Sequence, residues 1–99
     1  MRLFILDASG LPLRCDDLMT WAKWHDTPQR IIARDEIGDV LVSTVFMGLD
    51  AGMGTRTPLF FETLVFRGEH NDMSDRYATR DEALAGHREI VQAVRRSQR

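Results

Sequence analysis

The chain has 99 residues, with 13 basic and 15 acidic side chains and a formal net charge of -2. That length suits one domain, taken as residues 1–99, with one core, and the balanced charge excludes the global basic excess that drives binding to nucleic acid or an anionic membrane. A single cysteine, Cys15, excludes an internal disulfide and a cysteine-cluster zinc site.

Hydrophobic residues at 43% and charged residues at 28% give the composition of a globule and not of a disordered chain. All the basic residues but Lys23 are arginine, a bias that fits a GC-rich genome as well as any binding role. The N-terminal "MRLFILDASG" has an apolar core of only a few residues before Asp7. A signal peptide needs a longer stretch and a membrane span about 20 apolar residues. A cytoplasmic protein of a bacterial cell is expected.

"RLFILD" is β-prone and "ASGLP" supplies turn chemistry, which predicts a short strand with "LPLRC" as its hairpin partner. "CDDLMTWAKWHDTP" reads as a helix, with Asp16 or Asp17 capping its start and Pro28 stopping it. Leu18, Trp21, Ala22 and His25 form its i, i+3, i+4, i+7 stripe, which leaves Trp24 off the stripe and exposed. "QRIIARDEI" predicts a strand, Gly38–Asp39 a tight reversal, and "VLVSTVFMGL" a second strand. Val40, Val42, Thr44 and Phe46 alternate with Leu41, Ser43, Val45 and Met47 on its two faces.

After "DAGMGTRTP", a third strand, "LFFETLVFRG", presents Leu59, Phe61, Thr63 and Val65 on one face and Phe60, Glu62, Leu64 and Phe66 on the other. Apolar groups on both faces of these strands predict cover on more than one side, by a helix and by a second subunit in a homodimer. "GEHNDMSDRY" carries no pattern and is assigned to a loop. In "TRDEALAGHREIVQAVRRSQR", Thr79 and Glu82 form a capping box, and Ala83, His87, Ile90, Val91 and Val94 make an apolar stripe bordered by Leu84. The fold expected is α+β: an antiparallel meander of three to four strands packed with two helices, in the order β(β)-α-β-β-β-α.

The glycines of "MGLDAGMGTRTP" invite comparison with a phosphate loop. A Walker loop needs a Lys and a following helix, and here there is neither. The segment is read as the bend of a hairpin. His25, His70 and His87 occupy separate elements without H-x-H or H-x-x-x-H pairing, so no metal site and no cofactor is assigned. Glu62, isolated in the most apolar strand, suits a general acid or base if buried. Its alternative is that Glu62 faces solvent at the sheet or pairs with an arginine of a neighbouring strand, such as Arg30 or Arg34. A small enzyme would centre on Glu62, His87 and Asp50. Ser43, Thr44 and Cys15 lack the signature of a catalytic nucleophile, and no catalytic residue is assigned. Arg88, Arg95, Arg96 and Arg99 form a basic end which, with Trp21 and Trp24, would serve a nucleic-acid binder.

"LMTWAKWHDT", "IGDVLVSTVFMGLD", "PLFFETLVFRG" and "RYATRDEALAGH" together resemble a group of small proteins common in bacteriophages and prophages. In that group a Trp-containing helix precedes "GDV-VSTVF-GLD", "PLLFET-VFGG" and a terminal "Y-T--EA--GH" helix. The resemblance covers most of residues 18 to 90. It departs at Ala51 and Arg80, where the group has His and Trp. What it implies is an origin in a mobile element, with no cofactor and no catalytic residue to transfer. Small phage proteins often act by binding, so the expectation is a non-enzymatic accessory protein that binds a host or phage protein, an inhibitor of a host defence system being one form. Its contact residues are placed at Trp24 and, in the long loop, at His70, Asp72, Met73 and Arg76.

Overall fold

A computed structural model describes residues 2–50 and 57–98. Six strands and two helices follow in the order β1 (Leu3–Leu6), β2 (Pro12–Cys15), α1 (Leu18–His25), a 3-10 turn (Pro28–Arg30), β3 (Ile31–Ile37), β4 (Val40–Phe46), β5 (Phe61–Phe66), β6 (Ser74–Tyr77) and α2 (Arg80–Ser97). β1 and β2 form an antiparallel hairpin, and β3-β4-β5-β6 form an antiparallel meander. The expected α+β class and element order hold.

Each turn has a local cause. Asp7 accepts the amides of Ser9 and Leu11 and folds the first hairpin. Gly38, at φ +62°, takes the position between β3 and β4 that demands a positive φ. α1 starts at Asp17, whose carboxylate accepts the Met19 amide and the Thr20 hydroxyl. α2 starts at Thr79, which accepts the Glu82 amide and donates its own hydroxyl to the Glu82 carboxylate.

The four-stranded sheet has an inner and an outer face. Val40, Val42, Thr44 and Phe46 of β4, with Phe61, Thr63 and Val65 of β5, are buried on the inner face, where α2 lies. The buried residues of α2 are Ala83, His87, Ile90, Val91 and Val94, the stripe its periodicity predicts. At one end Ile37, Val40, Val42 and Val65 pack against Ile90, Val91 and Val94. At the other end Phe46, Phe61, Tyr77 and Ala83 form a second cluster, covered by Phe4, Leu6, Trp24, Ile32 and Phe60.

Three sequence expectations need correction. The segment assigned to a loop contains β6, whose Ser74–Tyr77 pair with residues 61–64 of β5. A short polar edge strand carries no hydrophobic alternation, because only its backbone is needed to extend the sheet. In α1, Leu18 is 63% exposed and Ala22 is exposed, whereas Trp24 meets Phe46 edge-on at 5.7 Å. The helix has only eight residues, and its two large indoles decide which side packs. Trp24 is therefore half-buried and not an exposed anchor. Glu62 does pair with an arginine, but with Arg76 of β6 at 3.0 Å and not with Arg30 or Arg34. The strand missed in the sequence supplies the partner.

Residues 51–56, at the heart of the glycine-rich gap, lie outside the described residues. Around them, β4 and β5 pair antiparallel from Leu41↔Phe66 to Phe46↔Phe61, as the hairpin reading requires. Gly48, at φ +79°, accepts both the Phe4 amide and the Trp21 indole N–H through its carbonyl. That carbonyl ties the first hairpin and α1 to the end of β4.

Candidate functional site

Between the two apolar clusters runs a polar layer. Thr44 and Thr63 face one another across β4 and β5, and their hydroxyls are hydrogen-bonded. The Thr44 hydroxyl also bonds His87 Nδ1 at 2.7 Å, and His87 Nε2 bonds Asp35 Oδ2 of β3 at 2.7 Å. One residue from each of β3, β4, β5 and α2 thus joins a single hydrogen-bonded chain. With an ionised carboxylate and a neutral imidazole the chain is satisfied in one sense: Nε2 donates to Asp35, Nδ1 accepts from Thr44, and Thr44 accepts from Thr63.

Tyr77 closes the layer on the far side. Its ring lies on Gly86, where a Cβ would come within 2.2 Å of ring carbon Cε1. Its hydroxyl is buried and makes no hydrogen bond of normal geometry to any described residue. Burial raises the phenol above its ordinary value of 10.0, and the nearby Thr63 hydroxyl opposes the rise without closing a good bond.

An acid, an imidazole and a hydroxyl in sequence invite comparison with a nucleophilic triad. A triad must present its hydroxyl to substrate. Here Thr44 and Thr63 are wholly buried and His87 is 3% exposed, whereas the Asp35 side chain is 46% exposed. The end that meets solvent is the carboxylate, and the hydroxyl end is shut in by the two apolar clusters. Asp35 borders a groove of about 290 Å³ lined also by Arg88, Gln92 and Arg95. The chain of bonds holds α2 to the sheet and offers no nucleophile.

The other candidates separate. Glu62 shares its strand with Thr63 but has the opposite parity, so it lies on the outer face while His87 lies on the inner one. The Asp50 carboxylate accepts the Leu59 amide beside the β4–β5 connection. A catalytic centre built from Glu62, His87 and Asp50 therefore does not assemble. Cys15 is buried and donates to the Asp17 carbonyl, and Ser43 is on the outer face. His25 stacks on Trp21. Among the described residues no three His, Cys, Asp or Glu side chains converge as a metal site, and no helix is long and apolar enough to cross a membrane.

The residues assigned to protein contact divide between two ends of the sheet. His70, Asp72 and Met73 belong to the turn after β5, where Asp72 has φ +71° and its amide bonds the Val65 carbonyl. Met73 is an exposed apolar group there, and Arg76 is held on β6 by Glu62. Trp24 sits by Phe46, at the opposite end of β5, about 17 Å away by strand rise. The Trp21 indole is bonded to Gly48 and stacked on His25, and Trp24 packs edge-on against Phe46, so both rings are engaged within the fold. Arg88, Arg95 and Arg96 are exposed on α2, and Arg99 lies outside the described residues.

Sequence reading passed over Asp35. A signal existed: Asp35 shares a strand face with Ala33 and Ile37, the packed face, where a carboxylate needs a partner. The β-bulge between Ile31 and Ala33 shifts the alternation and hid that placement.

Leu11, Leu13, Leu18 and Met19, on the first hairpin and α1, are the most exposed large apolar groups among the described residues, and the outer face of the sheet carries a second apolar surface. Leu41, Val45 and Leu64 are half-buried there, and Phe66 is 41% exposed. They line a groove of about 270 Å³ together with Arg30, Arg34 and Ser43. A larger groove, about 510 Å³, lies between the first hairpin and the start of α2, lined by Asp7, Ser9, Trp24, Gln29 and Arg80 among others. Comparison of the chain with protein-family models, curated proteins and solved structures finds no match.

Proposed function

We propose that this protein acts without catalysis, by binding a protein partner through the outer face of its four-stranded sheet. One observation carries the reading: Leu41, Val45, Leu64 and Phe66 form an apolar surface on that face while α2 covers the inner one. Apolar groups gathered in a groove and edged by charge are a usual mark of an interaction site. The closed polar layer around His87 supports the same reading, because its hydroxyls are out of a substrate's reach. The resemblance of four segments to phage and prophage proteins supports an accessory role, with a host or phage protein as partner and inhibition of a host defence system as one form.

The test compares immobilised wild type with Leu64→Asp in a bacterial lysate. Wild type is expected to retain a discrete protein that the variant releases while keeping its thermal midpoint. Recovery of nothing above background, or equal recovery by both, would refute the reading. A homodimer through the same face is the second reading, favoured by the apolar character common to β4 and β5. Light scattering that shows a strict monomer at high concentration removes it.

A further inference from the structure

The outer-face groove is apolar in its floor and basic at its edge, and that asymmetry bears on what occupies it. Arg30 and Arg34 line it with Leu41, Ser43, Val45, Leu64 and Phe66, and no carboxylate lines it. Among the described residues neither arginine has an ion-pair partner. The two acids of this face are otherwise placed: Glu62 is held by Arg76, and Glu36 lies beyond Arg34 toward the β3–β4 turn. Among the described arginines only Arg14 and Arg76 are ion-paired, so what sets Arg30 and Arg34 apart is their place together at the edge of an apolar groove that no carboxylate lines.

We infer that this groove receives an acidic amphipathic segment of a protein partner, whose apolar side chains seat on Leu41, Val45, Leu64 and Phe66 and whose carboxylates pair with Arg30 and Arg34. The inference rests on the outer face being the interface and adds the chemistry of what it binds. Guanidinium forks match carboxylates and are more readily desolvated than ammonium groups, which suits them to an interface edge. A second copy of the chain fits less well. A two-fold contact is self-complementary, so each copy would offer the other the same two arginines, with only Glu36 left to answer them.

Titration of isotope-labelled protein with two short synthetic helical peptides, one of Leu and Glu and one of Leu and Lys, tests this by NMR. The Glu peptide is expected to shift the amides of Leu41, Ser43, Val45, Leu64 and Phe66 and to bind roughly tenfold more tightly than the Lys peptide, as two partly exposed ion pairs allow. Arg30→Glu/Arg34→Glu is expected to reverse that order with the thermal midpoint retained. If that variant does not fold, the two peptides on wild type still decide. Equal binding of both peptides at this face would overturn the acidic partner and leave the interface standing. If neither peptide moves these amides, both the inference and the interface fall. Shifts of the same amides on raising protein concentration alone would replace the partner with a second copy.

Discussion

His87 of α2 and Asp35 of β3, 52 residues apart in sequence, meet at 2.7 Å between His87 Nε2 and Asp35 Oδ2. The other ring nitrogen bonds Thr44, so one imidazole connects the terminal helix to an edge strand and a central strand at once. A buried imidazole without partners would cost stability, and the two bonds answer that cost at the one place where the apolar clusters are interrupted.

Thr44→Val removes the partner of Nδ1 and leaves the Thr63 hydroxyl buried and unbonded. Its expected cost is about 1–3 kcal/mol of unfolding free energy. Replacing the Thr44, Thr63 and His87 groups together, with Thr44→Val, Thr63→Val and His87→Leu, is expected to recover part of that loss, because the buried imidazole and both hydroxyls are gone and the half-exposed Asp35 carboxylate can turn to water. Urea midpoints of the two variants measure the difference. A neutral Thr44→Val would mean that the layer contributes little.

Gly86 is mid-helix, where alanine is ordinarily better by about 1 kcal/mol. Here an added Cβ would strike the ring and hydroxyl of Tyr77 at 2.2 to 2.4 Å. Overpacking of that kind costs about 1–3 kcal/mol, so Gly86→Ala is expected to destabilise despite the helix preference. Combining it with Tyr77→Leu should remove most of the penalty, as thermal unfolding of the single and double variants would show.

Tyr77 is the only tyrosine, so phenolate absorbance reports it alone. Burial raises its folded-state value above the ordinary 10.0. The unfolded chain therefore releases this proton first. Its effect on stability is absent below pH 10.0, and stability is lost as pH rises from there through the folded value. The phenolate is expected to form at higher pH in folded than in urea-unfolded protein, and Tyr77→Phe should flatten this part of the stability profile.

Asp17 behaves in the opposite sense. Its bonds from the Thr20 hydroxyl and then the Met19 amide hold its carboxyl below the ordinary 3.8. The stabilisation is present above that value and is lost as pH falls through the lower, folded one. Hydrogen exchange at the Met19 and Thr20 amides is expected to speed up in acid relative to the rest of α1. Asp17→Asn, which keeps a capping oxygen, should remove the acid dependence while retaining the helix.

Local chemistry made much of the fold legible. The alternation of β4 and β5, the Gly38 reversal, the Asp17 and Thr79 caps and the five-residue stripe of α2 all depend on neighbours within a few positions. β6 was not legible, because a polar edge strand is defined by the strand it joins and not by its own side chains. The packed side of α1 was misjudged for a related reason: in eight residues the periodicity is weak, and the aromatic surface of Phe46 settles the orientation.

The sequence by itself determined the class, the element order and the two-faced alternation of the long strands, since side-chain period and turn chemistry are written residue by residue. Only the tertiary structure decided that His87 answers to Asp35 and Thr44 and not to Glu62, and that Glu62 belongs to Arg76. Those pairings depend on register between distant segments, and in a strand one position of shift moves a carboxylate from the packed face to the open one.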